Sequence, residues 1–175
     1  IFPFRIPDNE DVGVVGTEKD LQAIAANIRL ASAIAAEHDI TLVLENCPYS
    51  HCPKAAMTQR LLRLADCRNV KLLYDPANSY RAEKRRVPEE WQTDDIPAEY
   101  HLVKNDIGHI HLKNYHYQKD LQPKPFIHTA LLDGDIDYLP LLNEMKKEKP
   151  ALSLEPEVSH EDALKCIRQL ISAVR

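Results

Sequence analysis

The sequence predicts an α/β fold built on a parallel sheet. Short apolar runs, typical of buried strands, alternate along the chain with longer segments in which apolar residues recur every three or four positions, as in amphipathic helices. No two of the predicted strands are joined by a tight hairpin signal, and strand–helix repeats of this kind build parallel sheets. Three strands end in a carboxylate and a fourth carries histidines, which favours a barrel over an open sheet.

Size and composition limit the class of protein. With 175 residues, 44% of them hydrophobic and 28% charged, the chain has the size of one globular domain, predicted as residues 1–175. No segment approaches the roughly 18 consecutive apolar residues of a membrane span. The net charge of −5 supplies no general attraction for nucleic acid or for anionic membranes. We therefore expect a soluble protein with neither nucleic acid nor membrane as a partner.

The cysteines at positions 47, 52, 67 and 166 do not form a disulfide framework in a chain of this size. No signal peptide is recognised, so reduced thiols and a cytoplasmic location are expected. Cys47 and Cys52, with His51 between them, have a spacing that zinc sites use. Because no second pair of cysteines or histidines accompanies them, a loop with incidental thiols is the favoured interpretation.

Five segments are predicted as helices, at residues 21–38, 57–67, 98–104, 137–147 and 161–174. Thr17 and Asp20 precede the apolar periodicity of the first helix in the pattern of a capping box. The last two helices are predicted to face the core through Leu139, Leu142, Met145, Leu164, Ile167, Leu170 and Ile171. The stretch DPANS at 75–79 is predicted as a turn, and residues 81–97 as a long irregular segment.

Five segments are predicted as strands, at residues 1–5, 41–46, 70–75, 107–115 and 151–157. Three of them are apolar runs that end in a carboxylate, at Glu45, Asp75 and Glu155, each followed at once by a turn residue or a proline. The carboxyl ends of parallel strands meet at one edge of a sheet. We therefore expect these carboxylates at the same edge.

The segment 107–115, IGHIHLKNY, carries the other candidate ligand. A period of two places Ile110 and Leu112 on one face of this strand, and His109, His111 and Lys113 on the other. An apolar face opposite imidazole and ammonium groups is typical of a strand that lines solvent or a polar cavity.

Taken together, Glu45, Asp75, His111 and Glu155 supply three carboxylates and one imidazole. Such a set suits one divalent metal ion, Mn²⁺, Mg²⁺, Co²⁺, Fe²⁺ or Zn²⁺, with coordination positions left for a substrate. A carboxylate at one strand end is more often a helix cap or part of a salt bridge, and it is the recurrence at four strands that predicts a metal site.

The motifs LVLEN, LLYDPAN, HIHLKN with the later DGDIDY, and LSLEPE resemble the consecutive strand-end motifs of the xylose-isomerase-like barrel superfamily, the sugar phosphate isomerase and epimerase group. The resemblance implies a (β/α)8 TIM barrel, present here as a partial barrel of about the last five β/α units. It also implies that Glu45, Asp75, His111 and Glu155 hold a single divalent metal ion. The implied substrate is a small sugar, a sugar phosphate or a keto-sugar.

Isomerisation or epimerisation removes a proton next to a carbonyl and passes through an enediolate, whose charge a nearby cation stabilises. Glu45 and Glu155 are predicted as the acid/base pair that serves the two faces of the reacting carbon. Asn78, His109 and Lys113 are predicted to bind the substrate. Dehydration remains an alternative reaction.

Two positions depart from the epimerase pattern of this superfamily. Many epimerases have histidine where this chain has Asn78, and arginine where it has Tyr117. The sequence HLKN instead resembles the HLKD of the isomerase and inosose-dehydratase branches. Two further functions stay open: a DNA repair enzyme resembling endonuclease IV, whose additional zinc-binding histidines are missing from this sequence, and a non-catalytic remnant or binding module.

The resemblance begins at the fourth strand of the family. Five strands account for only part of the roughly 250 residues of a (β/α)8 barrel. Exposed sheet edges invite association. The open edges are therefore expected to pair with a missing N-terminal segment or, in a homo-oligomer, with a second copy.

Overall fold

The computed structural model describes residues 16–84, 87–93 and 95–175. The strand predicted at residues 1–5 lies outside this range. The chain divides into two compact units, the first ending at His109 and the second running from Ile110 to Arg175. The expectation of a single domain stays a prediction. Among the described helices, none has the length and apolar character needed to cross a bilayer.

The first unit alternates helices with parallel strands. Its elements are α1 (Glu18–Ala36), β1 (Leu42–Glu45), α2 (Ala55–Ala65), β2 (Val70–Tyr74), α3 (Pro76–Lys84), α4 (Ile96–Val103) and the beginning of β3 (Ile107–Leu112), with 3-10 turns at Glu89–Trp91 and Lys104–Asp106. The predicted capping box is confirmed at α1: the Thr17 side chain accepts a hydrogen bond from the Asp20 backbone, and the Asp20 carboxylate accepts one from the Thr17 backbone.

Strands β1 and β2 pair in parallel, with Glu45 opposite Leu73. The beginning of β3 lies close to them, because a Cβ placed on Gly108 would come within 2.7 Å of the Lys71 Cβ and 3.1 Å of a Val43 methyl group. The apolar core of the unit forms between this sheet and its helices. It includes Leu21, Ile24, Ile28, Leu44, Met57, Leu61 and Val70.

The turn predicted at DPANS is wrong, since Pro76 opens helix α3. The Asp75 carboxylate accepts a hydrogen bond from the backbone N–H of Asn78 at 2.9 Å, as a helix-capping residue does. Asp-Pro followed by Asn and Ser is compatible both with a turn and with a helix start, where proline lacks only an N–H that would stay unbonded. The contacts around Asp75 decide for the helix.

The second unit contains the rest of β3 and five further elements: β4 (Asn114–Tyr117), β5 (Phe126–Thr129), α5 (Leu139–Glu148), β6 (Leu152–Leu154) and α6 (His160–Val174). Strands β3 and β6 pair in parallel. Strands β4 and β5 form an antiparallel hairpin that the sequence did not predict. Residues 118–125 between them contain none of the two-residue turns that signal a hairpin. Ring contacts hold it instead, with the Tyr115 and His128 centroids 4.6 Å apart.

The predicted core face of α6 is wrong. Leu164, Ile167 and Ile171 are 41%, 45% and 44% exposed, and Cys166 is the residue of this helix that is buried. Its sulfur accepts a hydrogen bond from the Leu131 backbone at 3.3 Å. The apolar periodicity of a helix identifies a face, but it does not say which element covers that face.

In α5, Leu142 and Met145 are buried as predicted, whereas Leu139 is 51% exposed. Leu139 is the first residue of the helix. The orientation of the first residue of a helix depends on the preceding loop as well as on the helical period. The predicted burial of Leu139 is therefore wrong.

A buried ion pair fastens helices of the first unit together. The Lys54 ammonium, whose side chain is fully buried, lies 2.5 Å from a Glu83 oxygen and 3.3 Å from a Glu99 oxygen. Glu99 is also fully buried, and it accepts a hydrogen bond from the Ala55 backbone. Lys54 therefore joins the start of α2 to α3 and α4.

Replacing Lys54 by methionine should destabilise the protein by about 3–5 kcal/mol, because Glu99 would be left as a buried charge without its cation. The measurement is urea unfolding at neutral pH. Arg60→Gln is the control, since it breaks the exposed pair with Glu18 and should cost less than about 1 kcal/mol. Equal losses in the two variants would contradict the assigned role of Lys54.

Candidate functional site

In the first unit, two of the predicted ligands follow neighbouring strands. Glu45 is the last residue of β1 and is 6% exposed, while Asp75 follows β2 directly and is fully buried. Because Glu45 pairs with Leu73, Asp75 lies two positions further along, on the same face of the sheet. The parallel register thus places both carboxylates at one edge, as predicted.

The side chain of Asn46 connects the ends of β1 and β2 through hydrogen bonds. Its amide donates to the Asp75 carbonyl at 2.9 Å and to the Ser79 hydroxyl at 3.1 Å, and its oxygen accepts from the Asp75 backbone at 2.8 Å. Asn46 is fully buried. The sequence placed it only in the motif LVLEN, because an asparagine after a strand is usually a turn residue.

Asn78, predicted to bind substrate, lies between the two carboxylates. Its backbone donates to Asp75, and its side-chain amide donates to Glu45 Oε1 and to the Asn46 carbonyl, both at 3.0 Å. In the structure, the Asn78 side chain therefore orients the Glu45 carboxylate. A role toward substrate stays a prediction.

In the second unit, the parallel pairing of β3 with β6 sets His111 opposite Ser153. Glu155 comes two residues after Ser153, and its backbone donates to the Leu112 carbonyl at 3.0 Å. His111 Nδ1 lies 3.4 Å from Glu155 Oε2, and the Lys113 ammonium donates to the same oxygen at 2.6 Å. The second pair of predicted ligands is therefore adjacent.

Two neighbouring groups stabilise the charged form of Glu155. The adjacent His111 imidazole, and secondly the hydrogen bond from Lys113, lower the pKa of Glu155 to about 2, although partial burial opposes the shift. Glu155 is therefore ionised at neutral pH. Lys113, predicted to bind substrate, is buried against this carboxylate.

The predicted alternation along β3 is confirmed by burial. Ile110 and Leu112 are fully buried, whereas His109 and His111 are half-buried on the other face. His109 is the last residue of the first unit. Its predicted contact with substrate stays a prediction.

Cys52 belongs to the apolar core of the first unit. It is fully buried, and burial raises the pKa of its thiol to about 12. Among the described residues, the group of side chains placed to hold a metal ion does not include Cys47, His51 or Cys52. All four cysteines are free thiols.

The sequence matches the family described as the xylose isomerase-like TIM barrel over residues 6–172, and the chain belongs to this family. No curated protein matches the sequence significantly. The parallel strands, with ligand-type residues at or next to their carboxyl ends, agree with this fold.

Several solved structures share the fold at low sequence identity. A probable 3-DHS dehydratase, AsbF, from Bacillus anthracis is 18% identical, with a TM-score of 0.72 over 92% of this chain and 61% of its own. A xylose isomerase-like TIM barrel protein from Mycobacterium smegmatis, in complex with magnesium, is 18% identical, with a TM-score of 0.64 over 92% and 54%. A D-allulose 3-epimerase from Methylomonas sp., in complex with D-allulose, is 13% identical, with a TM-score of 0.62 over 89% and 46%.

The chain thus spans between 46% and 61% of the length of these three structures. It corresponds to part of the barrel that they contain. The prediction of a partial xylose-isomerase-like barrel is confirmed.

The low pKa of Glu155 predicts a loss of stability in acid. The unfolded chain, with an ordinary glutamate pKa near 4.3, takes up the proton first as the pH falls. The stabilisation from Glu155 is therefore complete above about pH 5 and is lost as the pH falls toward 2. Urea unfolding between pH 2.5 and 5.5, with a chelator present, should show a shallower pH dependence in Glu155→Gln than in the parent. Identical slopes would contradict the assigned hydrogen bonds.

Proposed function

We propose that the chain provides the metal site and the acid/base residues of a divalent-metal-dependent isomerase or epimerase that acts on a small sugar or keto-sugar. The observation that carries the proposal is the pair of buried carboxylates, Glu45 and Asp75, at the ends of neighbouring parallel strands. Such a placement is typical of functional residues in a (β/α)8 barrel. Solved structures with this fold include a magnesium complex and an epimerase with its sugar.

The donor set fits a divalent cation. Asn78 donates to both Glu45 and Asp75, so these two carboxylates lie close together. A divalent cation held by both would offset the repulsion between two buried carboxylates this close to each other. Glu45, Asp75, His111 and Glu155 each offer one ligand atom, a carboxylate oxygen or an imidazole nitrogen. We propose that they hold one divalent ion.

When bound, the ion would supply electrostatic stabilisation for negative charge on the substrate oxygens. Glu155, ionised at neutral pH, removes a proton from the carbon next to the carbonyl. Glu45, oriented by Asn78, returns a proton to the opposite face or to the neighbouring carbon. Asp75 and His111 act as ligands alone.

Dehydration is a second candidate reaction, since it begins with the same proton abstraction. One protein with a similar fold is described as a probable 3-DHS dehydratase. A DNA repair function is less favoured, because the additional zinc-binding histidines of that class, including one after the strand-end aspartate, are missing from this sequence.

Mn²⁺ should bind with a stoichiometry of one ion per chain, and Asp75→Asn should weaken binding at least about tenfold, because a buried charged ligand is replaced by a neutral amide. Isothermal titration calorimetry on the chelator-treated protein measures both quantities. Asp133→Asn is the matched control, since Asp133 is an exposed partner of Lys165. A parent chain that binds no Mn²⁺, or equal losses in both variants, would overturn the metal site.

The acid/base assignment predicts exchange of solvent deuterium into the substrate. In a panel of keto-sugars, Glu45→Gln and Glu155→Gln should each lower the exchange rate by about 10²–10⁴-fold, the usual contribution of a positioned acid or base. Proton NMR in D₂O follows the exchange, and calorimetry verifies that the metal is still bound. Glu18→Gln, on the exposed surface of α1, serves as the control. Undiminished exchange in both site variants would remove the glutamates from proton transfer.

A further inference from the structure

Arg81 of α3 and Tyr49, in the connection between β1 and α2, form a close pair in the first unit. The central carbon of the guanidinium lies 5.1 Å from the centroid of the tyrosine ring. A guanidinium N–H also donates a hydrogen bond to the Tyr49 hydroxyl. A cation held both by the face of an aromatic ring and by a hydrogen bond has little rotational freedom. Tyr49 therefore fixes the position of the Arg81 head group.

Arg81 lies on the side of helix α3 that carries Asn78. Arg81 comes three residues after Asn78, so the two side chains share one side of α3. Asn78 on that side donates to Glu45. Glu83, two residues after Arg81, points the opposite way, toward Lys54 and Thr93. The helix is thus anchored through Glu83 and presents Arg81 on the side of Glu45.

The position of α3 in the chain also favours contact with substrate. It starts directly after Asp75, at the carboxyl end of β2. Loops and extra elements at the carboxyl ends of barrel strands carry substrate specificity. Along the helix axis, Arg81 lies about 4.5 Å beyond Asn78. A substrate whose reacting carbons are at Glu45 would therefore have to extend past Asn78 to meet Arg81.

Arginine recognises oxyanions through paired N–H donors in a planar fork. A guanidinium that is already held in place loses less freedom when it binds such a group. We propose that Arg81 determines specificity by binding a terminal anionic group of the substrate, a carboxylate or a phosphate. The substrate is then an acidic keto-sugar rather than a neutral one. This inference rests on the proposed function, because it assumes that the reacting carbons lie at Glu45.

Three substrates of one carbon skeleton test the inference: D-fructose, D-fructuronate and D-fructose 6-phosphate. In the deuterium-exchange assay, the protein should have a lower KM for at least one of the two anions than for D-fructose. Arg81→Gln should raise the KM for that anion by about 10- to 100-fold, the usual effect of losing a hydrogen bond between charged groups. The kcat, and the KM for D-fructose, should stay within about twofold, because only binding of the remote group is lost.

Two further variants separate the role of Arg81 from general charge and from structure. Lys84→Gln removes the same charge one turn further along α3, where Lys84 lies over the Tyr80 ring, and should leave all three KM values unchanged. Arg81→Lys keeps the charge without the planar fork and should restore part of the affinity. Whether the carboxylate or the phosphate responds to Arg81→Gln identifies the anionic group.

Direct binding separates failure of this inference from failure of the proposed function. If none of the three sugars exchanges deuterium, the isomerase proposal fails for this substrate class, and calorimetry with the same sugars still measures the contribution of Arg81. A preference for an anion that Arg81→Gln abolishes would support the inference. It would be overturned by equal affinity for neutral and anionic sugars in the parent, by equal losses for both in Arg81→Gln, or by the same effect in Lys84→Gln.

Discussion

The hydrogen bonds of Asn46 are the interaction on which the first half of the candidate site depends. The buried amide bonds to both backbone groups of Asp75, so the end of β1 and the end of β2 cannot shift relative to each other without breaking them. A buried carboxylate is costly unless hydrogen-bond donors or a cation compensate it. By fixing the backbone at Asp75, Asn46 also fixes the start of α3, and with it the two donors that Asn78 offers to Glu45 and Asp75.

In the second unit, different groups surround the carboxylate at the strand end. Here the carboxylate is Glu155, it is partly exposed, and its neighbours are an imidazole and a buried ammonium rather than amides. The two neighbours hold Glu155 in its ionised form, whereas Glu45 is oriented by the side-chain amide of Asn78. The two glutamates thus differ in the hydrogen-bond donors described for them, an ammonium at Glu155 and an amide at Glu45.

Helix α3 connects the architecture to specificity. On one side it is fastened by Glu83 to the buried Lys54, and through Lys54 to Glu99 of α4. On the other side it carries Asn78 and Arg81. A buried ionic network contributes little net stability, but a network with its partners in place fixes geometry. The rigid attachment of α3 is therefore the physical basis for assigning a positioning role to Asn78 and a binding role to Arg81.

The sequence by itself determined the α/β class, the parallel strands and the residues Glu45, Asp75, His111 and Glu155 as candidate ligands. These follow from local periodicity and from the residue type at each strand end, and both are properties of short segments. It could not decide that DPANS begins a helix, since the same residues favour a turn until Asp75 is held in place to cap α3.

The tertiary structure alone decided the partners. It assigned Asn46 to Asp75, Asn78 to Glu45, Lys113 to Glu155 and Arg81 to Tyr49. It also left the apolar face of α6 exposed, where the helical period had predicted core. The two residues of each pair are between 29 and 42 positions apart in the sequence. Contacts at such separations are set by strand register and helix packing, which no local pattern in a single sequence encodes.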